Sequence, residues 1–101
     1  MQMAGDELVW LQSWVGSQVD GDWEHSYGVE IKTLDNPGWM VVIDLTGTDL
    51  GAAGFEGIKY ERGDADWLSC EVKGGRFVGV GDIRKLTIIL AAFRQWVSKA
   101  R

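Results

Sequence analysis

The sequence holds one cysteine, one proline and one histidine in 101 residues. The lone Cys70 excludes an internal disulfide and fits a reducing compartment. One histidine and one cysteine cannot build a closed zinc site with ordinary ligand spacing. No apolar run approaches the roughly 20 residues that cross a bilayer; the longest, Leu86 to Phe93, is interrupted by Thr87. Met1 to Glu7 has no basic region leading into an apolar stretch, so no secretory signal is expected. Basic residues are scarce as well: ten Lys and Arg stand against fifteen Asp and Glu, a net charge of -5. Residues 1–72 hold only three bases (Lys32, Lys59, Arg62) and fourteen acids, while residues 73–101 hold seven bases and one acid, Asp82. Nucleic-acid binding needs clustered Lys and Arg and is not expected. A basic protein is the better electrostatic partner, although mild acidity also serves solubility alone.

What is present in quantity is tryptophan, six residues of it, within an apolar share of 46% and a charged share of 25%. Those shares are globular, and the length suits one domain spanning 1–101. Asp6 or Gly5 caps an expected first helix, with Leu8, Leu11 and Val15 as its apolar stripe and Trp10 and Trp14 widening it. Tyr27, Val29, Ile31 and Thr33 alternate as a half-buried strand. Dense turn chemistry at Leu34 to Gly38 leads into the β-branched run Trp39 to Leu45, so a hairpin is expected. Thr46 to Gly54 reads as a loop. Phe55, Ile58, Tyr60 and Arg62 give a third strand, and Trp67 to Lys73 a fourth with Leu68, Cys70 and Val72 on one face. Gly74-Gly75 signals a tight hairpin into a fifth strand, Arg76 to Val80. Asp82 is an N-cap candidate for a last helix striped by Ile83, Leu86, Leu90, Phe93 and Val97, with Lys99 and Arg101 at its end. The expected fold is α+β: a five-stranded antiparallel meander sheet with the N-terminal and C-terminal helices packed on one face.

The chemistry concentrates in Asp20-Gly21-Asp22-Trp23-Glu24-His25. Asp20, Asp22 and Glu24 imitate the first ligands of a calcium loop, but His25 stands where the loop needs glycine and Ile31 where it needs glutamate. No metal and no cofactor is expected. His25 with Asp22 or Glu24 could form an acid–base pair, yet no nucleophile motif accompanies it, and a structural hydrogen bond is the plainer reading. Cys70 sits mid-strand between Leu68 and Val72, where burial is the default, so a thiol enzyme of sulfurtransferase type is an alternative without a nucleophile loop. Trp67 and Trp96 lie in periodic elements and read as core, as does Trp10 or Trp14. Trp23 and Trp39 lie beside turns, where a tryptophan can either close the core or anchor an interface. The candidate binding residues are therefore Asp20, Asp22, Trp23, Glu24 and His25, joined by Asp35, Asn36 and Trp39 if the two turns lie close; the roughly 20 Å of strand from Val29 to Leu34 would instead make them two patches at opposite sheet ends. A small-molecule module with stacked tryptophans in a pocket is a further alternative.

The strings Gly21 to His25, Tyr27-Gly28-Val29 and Thr33 to Trp39 resemble the immunity protein 53 family. The likeness continues through Asp44-Leu45, Asp66-Trp67, Cys70, Gly79 to Asp82 and Leu86 to Trp96, about residues 8 to 97. It implies a small cytoplasmic protein of a bacterial polymorphic toxin system that neutralises a cognate toxin domain by binding it. It supplies no catalytic residue. Val15 departs from the family pattern, which favours an aromatic there. The oligomeric state is left open.

Overall fold

A computed structural model of the chain describes residues 6–51 and 53–100. In order, the elements are α1 (Asp6–Gln18), α2 (Trp23–Ser26), β1 (Val29–Leu34), β2 (Gly38–Asp44), β3 (Ile58–Glu61), β4 (Trp67–Lys73), β5 (Arg76–Gly81) and α3 (Leu86–Ala100). The capping expected of Gly5 and the helix-end charge of Arg101 lie outside the described residues. The five strands form one antiparallel sheet, and the fold is α+β as expected.

The strand order is β1-β2-β5-β4-β3, so the simple meander is corrected. β1–β2 is one hairpin, β3–β4–β5 is a three-strand meander, and the two join where β2 pairs with β5. The reason is apolar content. β2 and β5 hold the runs Met40 to Ile43 and Phe77 to Val80, which suit the centre of the sheet better than an edge. β3 is four residues long and carries Lys59 and Glu61, which suit an edge. The hairpin at Gly74-Gly75 forms as expected; both glycines have positive φ, 62° and 76°, as a two-residue turn of this hand requires.

Residues two apart share a sheet face. Val41, Ile43, Leu68, Cys70, Phe77 and Gly79 point to the helix layer and are buried. α3 lies on this face and α1 packs on α3. The space is filled by aromatic rings: Phe93 meets Trp14 at 4.9 Å, Phe77 at 5.1 Å, Trp10 at 5.9 Å and Trp96 at 6.1 Å. The loop read at Thr46 to Gly54 is a packed strap. Leu45 and Leu50 are buried, Trp96 donates its indole N–H to the Gly54 carbonyl at 2.8 Å, and Phe55 packs edge-on against Phe77 and Trp96. The stripe expected on α1 rotates. Leu11 and Trp14 are buried, whereas Leu8 is 44% exposed.

α3 begins at Leu86, four residues beyond the expected cap, and Ile83 is 52% exposed rather than part of the stripe. Asp82 instead organises the turn before the helix. Its carboxylate accepts the backbone N–H groups of Trp67 and Arg84, each at 2.9 Å, and the Lys85 ammonium. Lys85 also donates to Asp66 at 2.9 Å. The Lys85 ammonium holds the Asp82 carboxyl down at about 2, well below the usual carboxylate range. An unfolded aspartate titrates near 3.9. The stability this group adds is therefore complete above about pH 4 and is lost as the pH falls towards 2. We expect thermal melts of Asp82→Asn to start lower at neutral pH and to fall less steeply than wild type across that window.

Candidate functional site

The chain from Asp20 to His25 folds on itself before it meets β1. Asp20 Oδ1 accepts the backbone N–H of Asp22 at 2.9 Å and of Trp23 at 3.0 Å. Glu24 reaches back and accepts the N–H of Asp20 at 3.0 Å and of Gly21 at 2.8 Å. This reciprocal pattern has the logic of a capping box and turns Trp23 to Ser26 into α2, a segment with no helical periodicity of its own. The Trp23 and Asp22 amides hold the Asp20 carboxyl below its usual range. Two of the three carboxylates in this segment are thus engaged by the local backbone, and Asp22 is the one with no side-chain cap bond. Asp22 and His25 are exposed. Trp23 is 4% exposed and meets Trp14 edge-on at 5.7 Å. Its ring closes the core. In Asp20→Ala we expect the Trp23 amide to exchange severalfold faster, measured by hydrogen exchange, because a bond worth about 1 kcal/mol is lost.

Asp35 and Asn36 occupy the exposed turn between β1 and β2. Trp39 follows it half-buried and donates its indole N–H to the Ile83 carbonyl at 2.9 Å, so its polar edge is tied to the segment before α3. The six residues of β1 separate this turn from the Asp20 segment, a span of roughly 20 Å along the strand. The candidate residues therefore form two patches at opposite ends of the sheet. The second patch gains members from β3 and β4, distant in sequence. Asn36 shares a surface depression of about 560 Å³ with Lys59, Glu61, Asp64 and Trp67. Trp67, read as core, is half-buried on the outer sheet face. The signal was present: if Leu68 and Cys70 point inward, alternation points Trp67 and Ser69 outward.

Cys70 is 1% exposed beneath α3, and burial pushes its thiol up to about 11. A thiolate nucleophile needs the opposite environment, electropositive and open to solvent. At pH 8 we expect native Cys70 to react with a disulfide reagent at least about a hundredfold more slowly than the urea-unfolded chain, since only the thiolate attacks. Among the described residues no group of His, Cys, Asp and Glu side chains is placed to hold a metal ion, and no helix is long and apolar enough to cross a membrane.

A family model described as immunity protein 53 matches residues 8–98. The chain belongs to the immunity protein 53 family. The matched span runs from the first turn of α1 to the last turn of α3, so the family is the whole fold and not a motif within it. Membership in an immunity-protein family implies a toxin as protein partner and argues for binding over catalysis. No curated protein and no solved structure matches the chain.

Proposed function

We propose that this protein neutralises a cognate bacterial polymorphic toxin in the cytoplasm of the producing cell, by direct binding through acidic surface at the sheet ends. The family match over residues 8–98 carries this reading. The net charge of -5 supports it, because a negative surface steers a basic cleft towards contact. Asp22 and His25, at and within α2, and Asp35 and Asn36, in the β1–β2 turn, are exposed and held apart by β1 between them. Asp20 and Glu24 set the shape of the first patch, while Trp23 and Trp39 support the two patches from within.

The product of the adjacent toxin gene, mixed with this protein, should bind it, and more weakly as salt is raised. Asp22→Lys and Asp35→Lys test the two ends separately. The end that meets a basic cleft should lose about tenfold or more in affinity, equivalent to ~1.4 kcal/mol. Absence of binding at micromolar concentration would sink the pairing. Binding indifferent to both reversals would remove the acidic ends from the interface.

A further inference from the structure

An antiparallel sheet with one solvated face usually alternates apolar inward and polar outward. This sheet does not. Both long helices lie on one face, yet in the middle of the two central strands the outward positions are Met40, Val42, Val78 and Val80, all half-buried, with the Asp44–Arg76 ion pair at one end of the same face. Pairing across the strands arranges the outward side chains in rows. One row runs Glu30, Val42, Val78, Glu71. The next runs Lys32, Met40, Val80, Ser69, Lys59. An apolar middle is therefore flanked by carboxylates in one row and by ammonium groups in its neighbour.

We propose that this open face docks on the same face of a second copy of the chain, about a two-fold axis that crosses the strands between those rows. The axis carries each row onto the other. Glu30 then faces Lys32 of the partner subunit, and Met40 and Val80 lie over Val42 and Val78 of the partner subunit. An axis along the strands would instead set Glu30 against Glu71 of the partner subunit, a juxtaposition of like charges. A two-fold interface requires a self-complementary patch, and the offset rows supply one. Five strands about 4.8 Å apart and roughly 20 Å long offer about 500 Å² of face, so two copies bury on the order of 1,000 Å². That is the lower bound for a specific interface, so a weak, concentration-dependent dimer is expected.

Light scattering or sedimentation over a concentration series tests this without the toxin. The expected mass rises from 11.2 kDa to twice that value as concentration increases. Val78→Lys should hold the chain at the monomer mass with an unchanged circular dichroism spectrum. Lys32→Glu should weaken the dimer at least tenfold, and Glu30→Lys/Lys32→Glu should restore it, since both charges exchange together. Glu30 and Lys32 are exposed edge positions, so the charge pair tests the register even if Val78→Lys fails to fold. A chain that stays monomeric at every concentration overturns the proposal. So does a dimer indifferent to Val78→Lys, or a double exchange that does not restore association. A monomeric chain whose toxin binding is abolished by Val78→Lys also overturns it, and gives this face to the toxin.

Discussion

Phe93→Ala is expected to cost about 3–5 kcal/mol of folding stability, the range for removing a large buried ring. Phe93 is fully buried at the point where both helices and the sheet converge. Its ring lies within 4.9–6.1 Å of four others, those of Trp14, Phe77, Trp10 and Trp96. Each such pair adds ~0.5–1.5 kcal/mol beyond area burial. The cavity cannot close easily, because the surrounding rings are held from three different elements. A domain of this size has only ~5–15 kcal/mol in total. The midpoint of a thermal melt should therefore fall on the order of 20 °C, with loss of near-ultraviolet dichroism. Trp10→Ala is the comparison, since Trp10 is half-buried at the edge of the same cluster. Its effect should be clearly smaller. Equal effects would mean that the ring cluster does not centre on Phe93.

The second large effect is expected from adding a side chain where the sheet has none. Gly79 faces α3 from β5, and a Cβ there would run into Ile89 Cγ2. Phe77 Cε2 at 3.4 Å and Cys70 Sγ at 3.5 Å close the remaining space. Gly79 has no positive φ, so the requirement is for room and not for backbone freedom. Gly79→Ala should cost ~1–3 kcal/mol, and Gly79→Val more, because the helix must lift or the strand must bow. A double-mutant cycle isolates the cause. Ile89→Ala removes Cγ2, so Gly79→Ala/Ile89→Ala should cost less than the two single changes added together, while Ile89→Val keeps Cγ2 and should give no such relief. Simple additivity with Ile89→Ala would show that the close approach of α3 is not what selects glycine here. The same logic applies one step along β5, where a Cβ on Gly81 would meet Lys85 Cβ at 2.6 Å.

These two positions also mark how far the sequence could be followed. Its spacing from Leu90 and Val97 puts Phe93 in the apolar stripe of the last helix, and it is buried there. The hairpin at Gly74-Gly75 and the inward face of β4 follow from turn chemistry and alternation, and both are present. Local signals failed where distant partners decide the outcome. Asp82 looks like a helix cap in the chain, but its carboxylate is recruited by Trp67 and Lys85 and the helix starts later. Trp23 sits among carboxylates in sequence and is nonetheless core, because Asp20 and Glu24 curl the segment and seat the ring against Trp14. The separation of Asp35 from Asp22, by contrast, follows from the six-residue length of β1, and the two lie at opposite ends of that strand.

By itself the sequence determined the two long helices and the five strands, the antiparallel α+β class, the burial of Cys70 and the family likeness. All of these depend on neighbours within a few residues or on strings read in order. Tertiary structure alone decided that β5 lies against β2. It also decided that Asn36 adjoins Trp67 and that an apolar sheet face is left uncovered by the helices. The physical reason is that strand order and the pairing of distant turns are fixed by competition for one shared core, and no local window of the chain contains both competitors.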